Sequence, residues 1–120
     1  MSPETRSSVA RVAAIRRWVR ERFGAPTFAA LDLPGGQDVD CGLAALAAGE
    51  ETVESLMVSL AAPRLRREGV PLPGNVIADA DHRLYRLLER SEGDLAHARY
   101  LARLRQLESF ANACGSARKA

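Results

Sequence analysis

Glycine divides this 120-residue chain into segments that each carry apolar residues at helical spacing. Glycine reaches the left-handed backbone conformation that closes a helix without steric cost, so a glycine after such a segment predicts a helix end. No segment alternates apolar and polar residues over more than a few positions, as a half-buried strand would require. We therefore predict an all-α fold, with helix ends at Gly24, Gly49, Gly69, Gly93 and Gly115.

The predicted architecture is a compact bundle of about five helices that forms one domain over residues 1–114, followed by a frayed basic tail over 115–120. A chain of this length with 47% hydrophobic residues can bury a core without disulfides or metal ions. Only three residues join the last two helices, so we expect these helices to close the bundle as an antiparallel hairpin. Helices are expected over 3–23, 40–48, 50–68, 79–90 and 94–114, with a single turn over 27–31.

Short polar residues at the start of these helices are expected to act as N-caps, whose side chains accept hydrogen bonds from the first free backbone NH groups. Ser2, Asp40, Asp79 and Asp94 are in this position. The third helix should begin near Glu50, because acidic residues are favourable at the positive end of the helix dipole. Since losing an N-cap costs about 1 kcal/mol, Asp94→Ala is expected to lower stability by that amount.

The pattern Asp-x-x-His-x-x-Tyr occurs twice, over residues 79–85 and 94–100. An aspartate and a histidine on one helix face can bind a metal ion, but the two helix starts of an antiparallel hairpin lie about 18 Å apart. We therefore predict no metal or cofactor and assign the aspartates to capping. His97 and Tyr100 are expected in the core, and His82 and Tyr85 are expected to be more exposed. A pH-sensitive contact through His82 is the alternative.

The last predicted helix carries the clearest apolar stripe, spaced by alternating steps of three and four residues: His97, Tyr100, Leu104, Leu107, Ala111 and Cys114. This spacing is close to that of a coiled-coil seam. It fits packing within the bundle and a homodimer interface equally well.

No catalytic motif is present, so we predict that the protein is not an enzyme. The sequence has no Gly-x-Ser-x-Gly, His-Glu-x-x-His or Cys-x-x-Cys, and Gly35-Gly36 lacks the Gly-Lys-Ser/Thr of a phosphate loop. Cys41 is expected at a helix start, which favours a thiolate, but the acids Asp38 and Asp40 disfavour it. We interpret Cys41 as structural or incidental.

Charge is segregated along the chain. Residues 24–62 contain no Lys or Arg and sum to −6, whereas residues 1–23 and 63–120 each sum to +4. Segregation of this kind favours a folded surface with two faces of opposite sign, and such faces govern association more than they govern the fold.

The composition points to a reduced, cytoplasmic protein of bacterial origin. No stretch approaches the roughly 20 apolar residues of a membrane span, and the Arg-rich N-terminus lacks the apolar core of a signal peptide. The two cysteines form no disulfide framework. We read the excess of Arg over Lys as the codon usage of a GC-rich genome.

These observations favour a small protein–protein interaction module, such as a regulator, an adaptor or an antitoxin-like protein, that acts by binding a protein partner. Trp and Arg are enriched at binding hot spots, so the candidate contact residues are Arg16, Arg17, Trp18, Arg20 and Arg22.

The alternative is a nucleic-acid-binding regulator that uses the same arginines. Two further basic clusters, Arg64–Arg66–Arg67 and Arg99–Arg103–Arg105, would add phosphate contacts if they converged. A net charge of only +2 and the acidic middle segment weigh against this alternative.

Overall fold

The structure is a computed structural model that describes residues 3–119, with the side chains of residues 9–116. Every regular element in this range is helical, which confirms the all-α prediction. The α-helices are α1 (Pro3–Phe23), α2 (Gly36–Ala47), α3 (Val53–Arg67), α4 (Ala80–Glu92) and α5 (Ala96–Lys119), and the 3₁₀ turns are Ala29–Leu31 and Gly93–Leu95. None of the described helices is long and apolar enough to cross a membrane.

The molecule is thin in one direction, with extents of 42 × 39 × 21 Å. The shortest extent equals about two helix diameters. Helix α3 is nevertheless covered around its middle, because the five consecutive residues 55–59 are all buried. As predicted, the last two helices form a hairpin, here through the 3₁₀ turn that directly joins α4 to α5.

The core consists of two clusters of buried side chains. The first core cluster is centred on Phe28 and Phe110, whose ring centroids lie 4.9 Å apart in an edge-on arrangement. The second core cluster lies between α3 and the hairpin and includes Met57 and Leu84. Helix α3 contributes side chains to both clusters, so it forms the centre of the fold.

Gly42 allows α2 and α3 to approach closely. A Cβ atom at this position would collide with the backbone oxygen of Glu54 and would lie 2.5 Å from Cγ2 of Val58. The sequence analysis did not single out this glycine, because it ends no apolar segment.

Glycine ends four of the described helices as predicted. Gly24, Gly49, Gly69 and Gly93 have positive φ angles between 56° and 88° and stand at or just beyond the C-terminal ends of α1 to α4. The prediction for Gly115 is wrong, because α5 continues through this residue to Lys119. Gly115 lies inside α5, and its backbone does not adopt the left-handed conformation that would end a helix.

The predicted N-cap at Asp40 is wrong, because α2 begins four residues earlier. Gly35 adopts φ = 73° directly before the helix, and Asp40 lies in the second turn of α2. The carboxylate of Asp40 accepts hydrogen bonds from the backbone NH groups of Phe28 (3.1 Å) and Ala29 (2.9 Å). Asp40 therefore caps the neighbouring 3₁₀ turn, which the sequence analysis did expect within residues 27–31.

The third helix begins at Val53 and not near Glu50. Thr52 is its N-cap: the Thr52 hydroxyl accepts from the backbone NH of Ser55 (3.0 Å), and the Ser55 hydroxyl accepts from the backbone NH of Thr52 (2.7 Å). These two reciprocal hydrogen bonds form a capping box, which satisfies backbone NH donors at the helix start. Glu50 and Glu51 lie before the helix.

The predicted caps Asp79 and Asp94 also differ from the structure. Asp79 stands at the N-cap position of α4 with φ = 54°, and its side chain makes no capping hydrogen bond. Asp94 lies within the exposed 3₁₀ turn, two residues before α5. The predicted cap Ser2 lies outside the described residues.

Candidate functional site

Helix α1 is held on the bundle by one apolar face. Ile15 and Val19 are buried in the first core cluster, and the ring of Phe23 packs edge-on against Phe28 with centroids 6.0 Å apart. Because these contacts fix the rotation of α1, they decide which side each predicted contact residue faces.

Trp18 and Arg22 lie on one flank of α1. The half-buried indole of Trp18 packs edge-on against Phe23 at 5.8 Å and lies beside Gly69, where a Cβ would come 3.5 Å from Cζ2 of the indole. The Arg22 guanidinium lies 6.0 Å from the centroid of the same indole. Trp18 therefore contributes to the core as much as to the surface.

Arg16, Arg17 and Arg20 lie on the opposite flank, where α1 and α2 enclose an open groove of about 520 Å³. We call it the α1–α2 groove, lined by Val9, Val12, Ala13, Arg16, Arg17, Arg20 and Ala44. Val9 is 56% exposed, the largest exposed fraction of any large hydrophobic side chain in the described part of the chain.

The α1–α2 groove is positively charged at one end. Among the described side chains, none forms an ion pair with Arg16, Arg17 or Arg20, and no acidic residue lines the groove. Asp40 lines a smaller adjacent cleft together with Arg16, but its carboxylate is already bound to two backbone NH groups.

The two other arginine clusters are partly neutralised by ion pairs. Arg64 pairs with Glu68 at 3.4 Å, and Arg99 lies 3.8 Å from Glu92. Arg103 pairs with Asp38 at 3.3 Å. Each cluster thus has at least one guanidinium engaged with an acidic group, in contrast to the three arginines of the α1–α2 groove.

Folding also pairs part of the acidic middle segment with the basic flanks. Asp38 at the start of α2 accepts hydrogen bonds from Arg103 and, at 2.7 Å, from the side-chain amide of Gln106 on α5. Glu51 pairs with Arg83 at 2.7 Å. The charge segregation seen along the sequence is therefore reduced in three dimensions.

A larger concavity lies along α4, with a volume of about 1000 Å³. Its lining mixes both signs of charge: Glu51, Asp79, His82, Arg83, Arg86, Glu89 and Arg90. Because three acidic side chains and three arginines line it together, this concavity favours neither an acidic nor a basic ligand.

The repeated Asp-x-x-His-x-x-Tyr pattern produces an aromatic contact across the hairpin. Tyr85 packs edge-on against Tyr100 with centroids 5.3 Å apart, and its hydroxyl lies 3.5 Å from Nδ1 of His97. His82 is exposed as predicted, but His97 is exposed too and not in the core. Within the described residues, no three His, Cys, Asp or Glu side chains gather as metal ligands would.

Cys41 is exposed on α2, but it is the sixth residue of the helix and therefore not at the helix start that the sequence analysis expected. Cys114 is buried in the first core cluster, and neither cysteine is in a disulfide. The C-terminal part of the stripe on α5, formed by Leu107, Ala111 and Cys114, is buried within the bundle, which is one of the two arrangements that its spacing allows.

Sequence reasoning missed the apolar half of the α1–α2 groove. Val9 and Val12 continue the apolar stripe of α1 through Ile15, Val19 and Phe23, so the sequence pattern predicts them as core residues, and it does not distinguish Ala13 or Ala44. Successive residues of an α-helix are rotated by about 100°, so Trp18 lies on a different side of the helix from Arg16 and Arg20. This rotation could have shown from the sequence alone that the predicted contact residues fall into two groups.

Comparisons with protein-family models, with curated proteins and with solved structures found no match to this chain.

Proposed function

We propose that this protein is a small interaction module that binds a protein partner through the α1–α2 groove. It would serve as a regulator, an adaptor or an antitoxin-like protein in the cytoplasm, and it would act by binding and not by catalysis. The observation that carries the proposal is a partly exposed apolar surface, formed by Val9, Val12 and Ala13, beside three arginines that lack ion-pair partners among the described side chains.

Both halves of the groove favour a protein ligand. Burial of apolar surface favours protein association, and the largely exposed side chain of Val9 offers such surface to a partner. Arginine is enriched at hot spots because its guanidinium makes several directed hydrogen bonds and its stem packs on apolar surface.

The apolar half of the groove argues against nucleic acid as the main ligand. Phosphate contacts need cations and backbone donors, and they gain nothing from Val9, Val12 and Ala13. The five arginine and tryptophan residues of the predicted patch also divide between two flanks of α1, with Arg22 placed over the indole of Trp18. A nucleic-acid-binding regulator is therefore the second candidate.

The test compares two glutamate substitutions at exposed alanines within helices. Ala13 lines the groove on α1, and Ala98 lies on α5 outside it. Neither substitution fills buried space, so both variants should keep the wild-type fold. The wild-type chain, Ala13→Glu and Ala98→Glu are each immobilised and exposed to lysate of the source organism, with and without nuclease, and captured material is identified by mass spectrometry and absorbance.

We expect one protein to be retained in stoichiometric amount by the wild-type chain and by Ala98→Glu, to survive nuclease, and to be lost with Ala13→Glu. Capture of nucleic acid, or of proteins that nuclease releases, would overturn the proposal in favour of the second candidate. Capture that Ala13→Glu leaves unchanged would show that the groove is not the binding surface.

A further inference from the structure

We infer that the α1–α2 groove accepts an acidic amphipathic helix from the partner. This inference rests on the proposed function and adds the chemistry of the ligand: a helical segment of at least three turns with apolar side chains toward one end and carboxylates toward the other.

The length follows from the extent of the groove along α1. The described part of its lining runs from Val9 to Arg20, which at 1.5 Å per residue is about 16 Å, so the groove spans at least three helical turns. A second helix laid along a groove between two helices presents anchors at i, i+3 or i+4, and i+7 over the same distance.

The order of the chemistry along the groove follows from the same residues. Val9, Val12 and Ala13 occupy the N-terminal half of the lining on α1, and the three arginines occupy the C-terminal half. Ala44 of α2 adds to the apolar part. A complementary helix therefore separates its apolar anchors from its carboxylates by one to two turns and does not interleave them.

The charge of the ligand follows from the unpaired arginines. Arg16, Arg17 and Arg20 lie within two turns of one another, and no acidic residue lies among the described lining residues, so the fields of the three arginines add. A carboxylate bound there makes charge-assisted, often bidentate, hydrogen bonds with guanidinium. A basic helix would meet three like charges at the same place.

The experiment is a display library of 15-residue helical peptides selected on the purified 120-residue chain. The library holds acidic, neutral and basic peptides in equal numbers, all with the same apolar anchors. Enriched peptides are then titrated by fluorescence anisotropy against the wild-type chain, against Arg17→Glu/Arg20→Glu, and against the control Arg105→Glu. Arg105 is exposed on α5 and lies outside the groove.

We expect acidic peptides to be enriched at least tenfold over basic ones. The double charge reversal should weaken the best acidic peptide at least tenfold, and Arg105→Glu should change its affinity less than twofold. A peptide with lysine in place of its carboxylates should bind Arg17→Glu/Arg20→Glu. An unfolded variant would not bind that peptide, so this result would show that the variant keeps its fold. Equal enrichment of the classes, or no enrichment of any class, would overturn the inference.

Other occupants give different results. If an oligonucleotide displaces the acidic peptide and binds Ala13→Glu with the same affinity as the wild-type chain, the arginines bind phosphate groups and the inference is wrong. If the wild-type chain sediments as a dimer that Ala13→Glu dissociates, the occupant is a second copy, which is also contrary to the inference. If Ala13→Glu abolishes capture of the protein partner from lysate but the library enriches neutral peptides, the proposed function is supported and the inference of an acidic ligand is wrong.

Discussion

At the scale of single residues, Asp40 shows how one carboxylate connects two segments. It is placed on α2, yet both of its hydrogen bonds reach the backbone of the loop that follows α1, at Phe28 and Ala29. Phe28 is completely buried at the centre of the first core cluster. Asp40 therefore helps to hold a core side chain in place from outside the core.

We predict that Asp40→Ala lowers the free energy of unfolding by about 2 kcal/mol, because hydrogen bonds to a charged group contribute about 1.5–3 kcal/mol. The matched control is Glu50→Ala, which removes an exposed carboxylate from the same acidic segment and should change stability by less than about 0.5 kcal/mol. Urea denaturation of both variants measures the difference. Equal stability of the two variants would contradict the capping role of Asp40.

At the scale of the helices, α3 and α5 differ in whether a side chain accepts hydrogen bonds from the free backbone NH groups at the helix start. Helix α3 has a reciprocal capping box between Thr52 and Ser55, and Ser55 is fully buried. The chain enters α5 through the 3₁₀ turn Gly93–Leu95, where the side chain of Asp94 is exposed and makes no hydrogen bond within the described residues.

Thr52→Ala is therefore expected to lower the free energy of unfolding by about 1 kcal/mol, the usual cost of losing an N-cap. Asp94→Ala, for which the sequence analysis predicted that same loss, should change it by less than about 0.5 kcal/mol. Thermal unfolding followed by circular dichroism compares the two variants. A larger loss for Asp94→Ala than for Thr52→Ala would mean that the start of α5 depends on that carboxylate.

At the scale of the whole molecule, the two core clusters are joined and not independent. Helix α3 supplies Val58 and Leu65 to the first cluster and Leu56 and Met57 to the second. Ile77, in the connector between α3 and α4, packs against both clusters. A chain of 120 residues with a shared central helix should unfold in one cooperative transition.

Leu84→Ala tests this coupling from the second cluster. Leu84 is fully buried, so its truncation should cost about 2–5 kcal/mol. Trp18, the only tryptophan of the chain, packs against the first cluster and reports its unfolding by fluorescence, whereas circular dichroism reports all helices. We expect both signals to shift to the same lower midpoint.

The control is Leu101→Ala, which truncates a leucine that is 37% exposed and should shift the midpoint much less. If Leu84→Ala moved the circular dichroism transition but left the fluorescence transition in place, the two clusters would unfold separately.

The candidate site was only partly predictable from the sequence. Arg16, Arg17 and Arg20 do lie together beside the groove, but Trp18 and Arg22 face another flank of α1. Val9 shares helical spacing with the buried residues Ile15 and Val19, yet it is exposed. Apolar spacing predicts that a helix face can be buried, but it does not predict how far a neighbouring helix covers that face.

The sequence by itself determined the all-helical fold, the last hairpin and four helix ends at glycine, because these features depend on backbone preferences and apolar spacing within a few residues. Only the tertiary structure decided that Asp40 caps a different segment, that Asp38 and Glu51 pair with distant arginines, and which flank of α1 faces the groove. The physical reason is that a polar side chain binds whichever donor packing brings within about 3 Å, and packing joins residues far apart in the sequence.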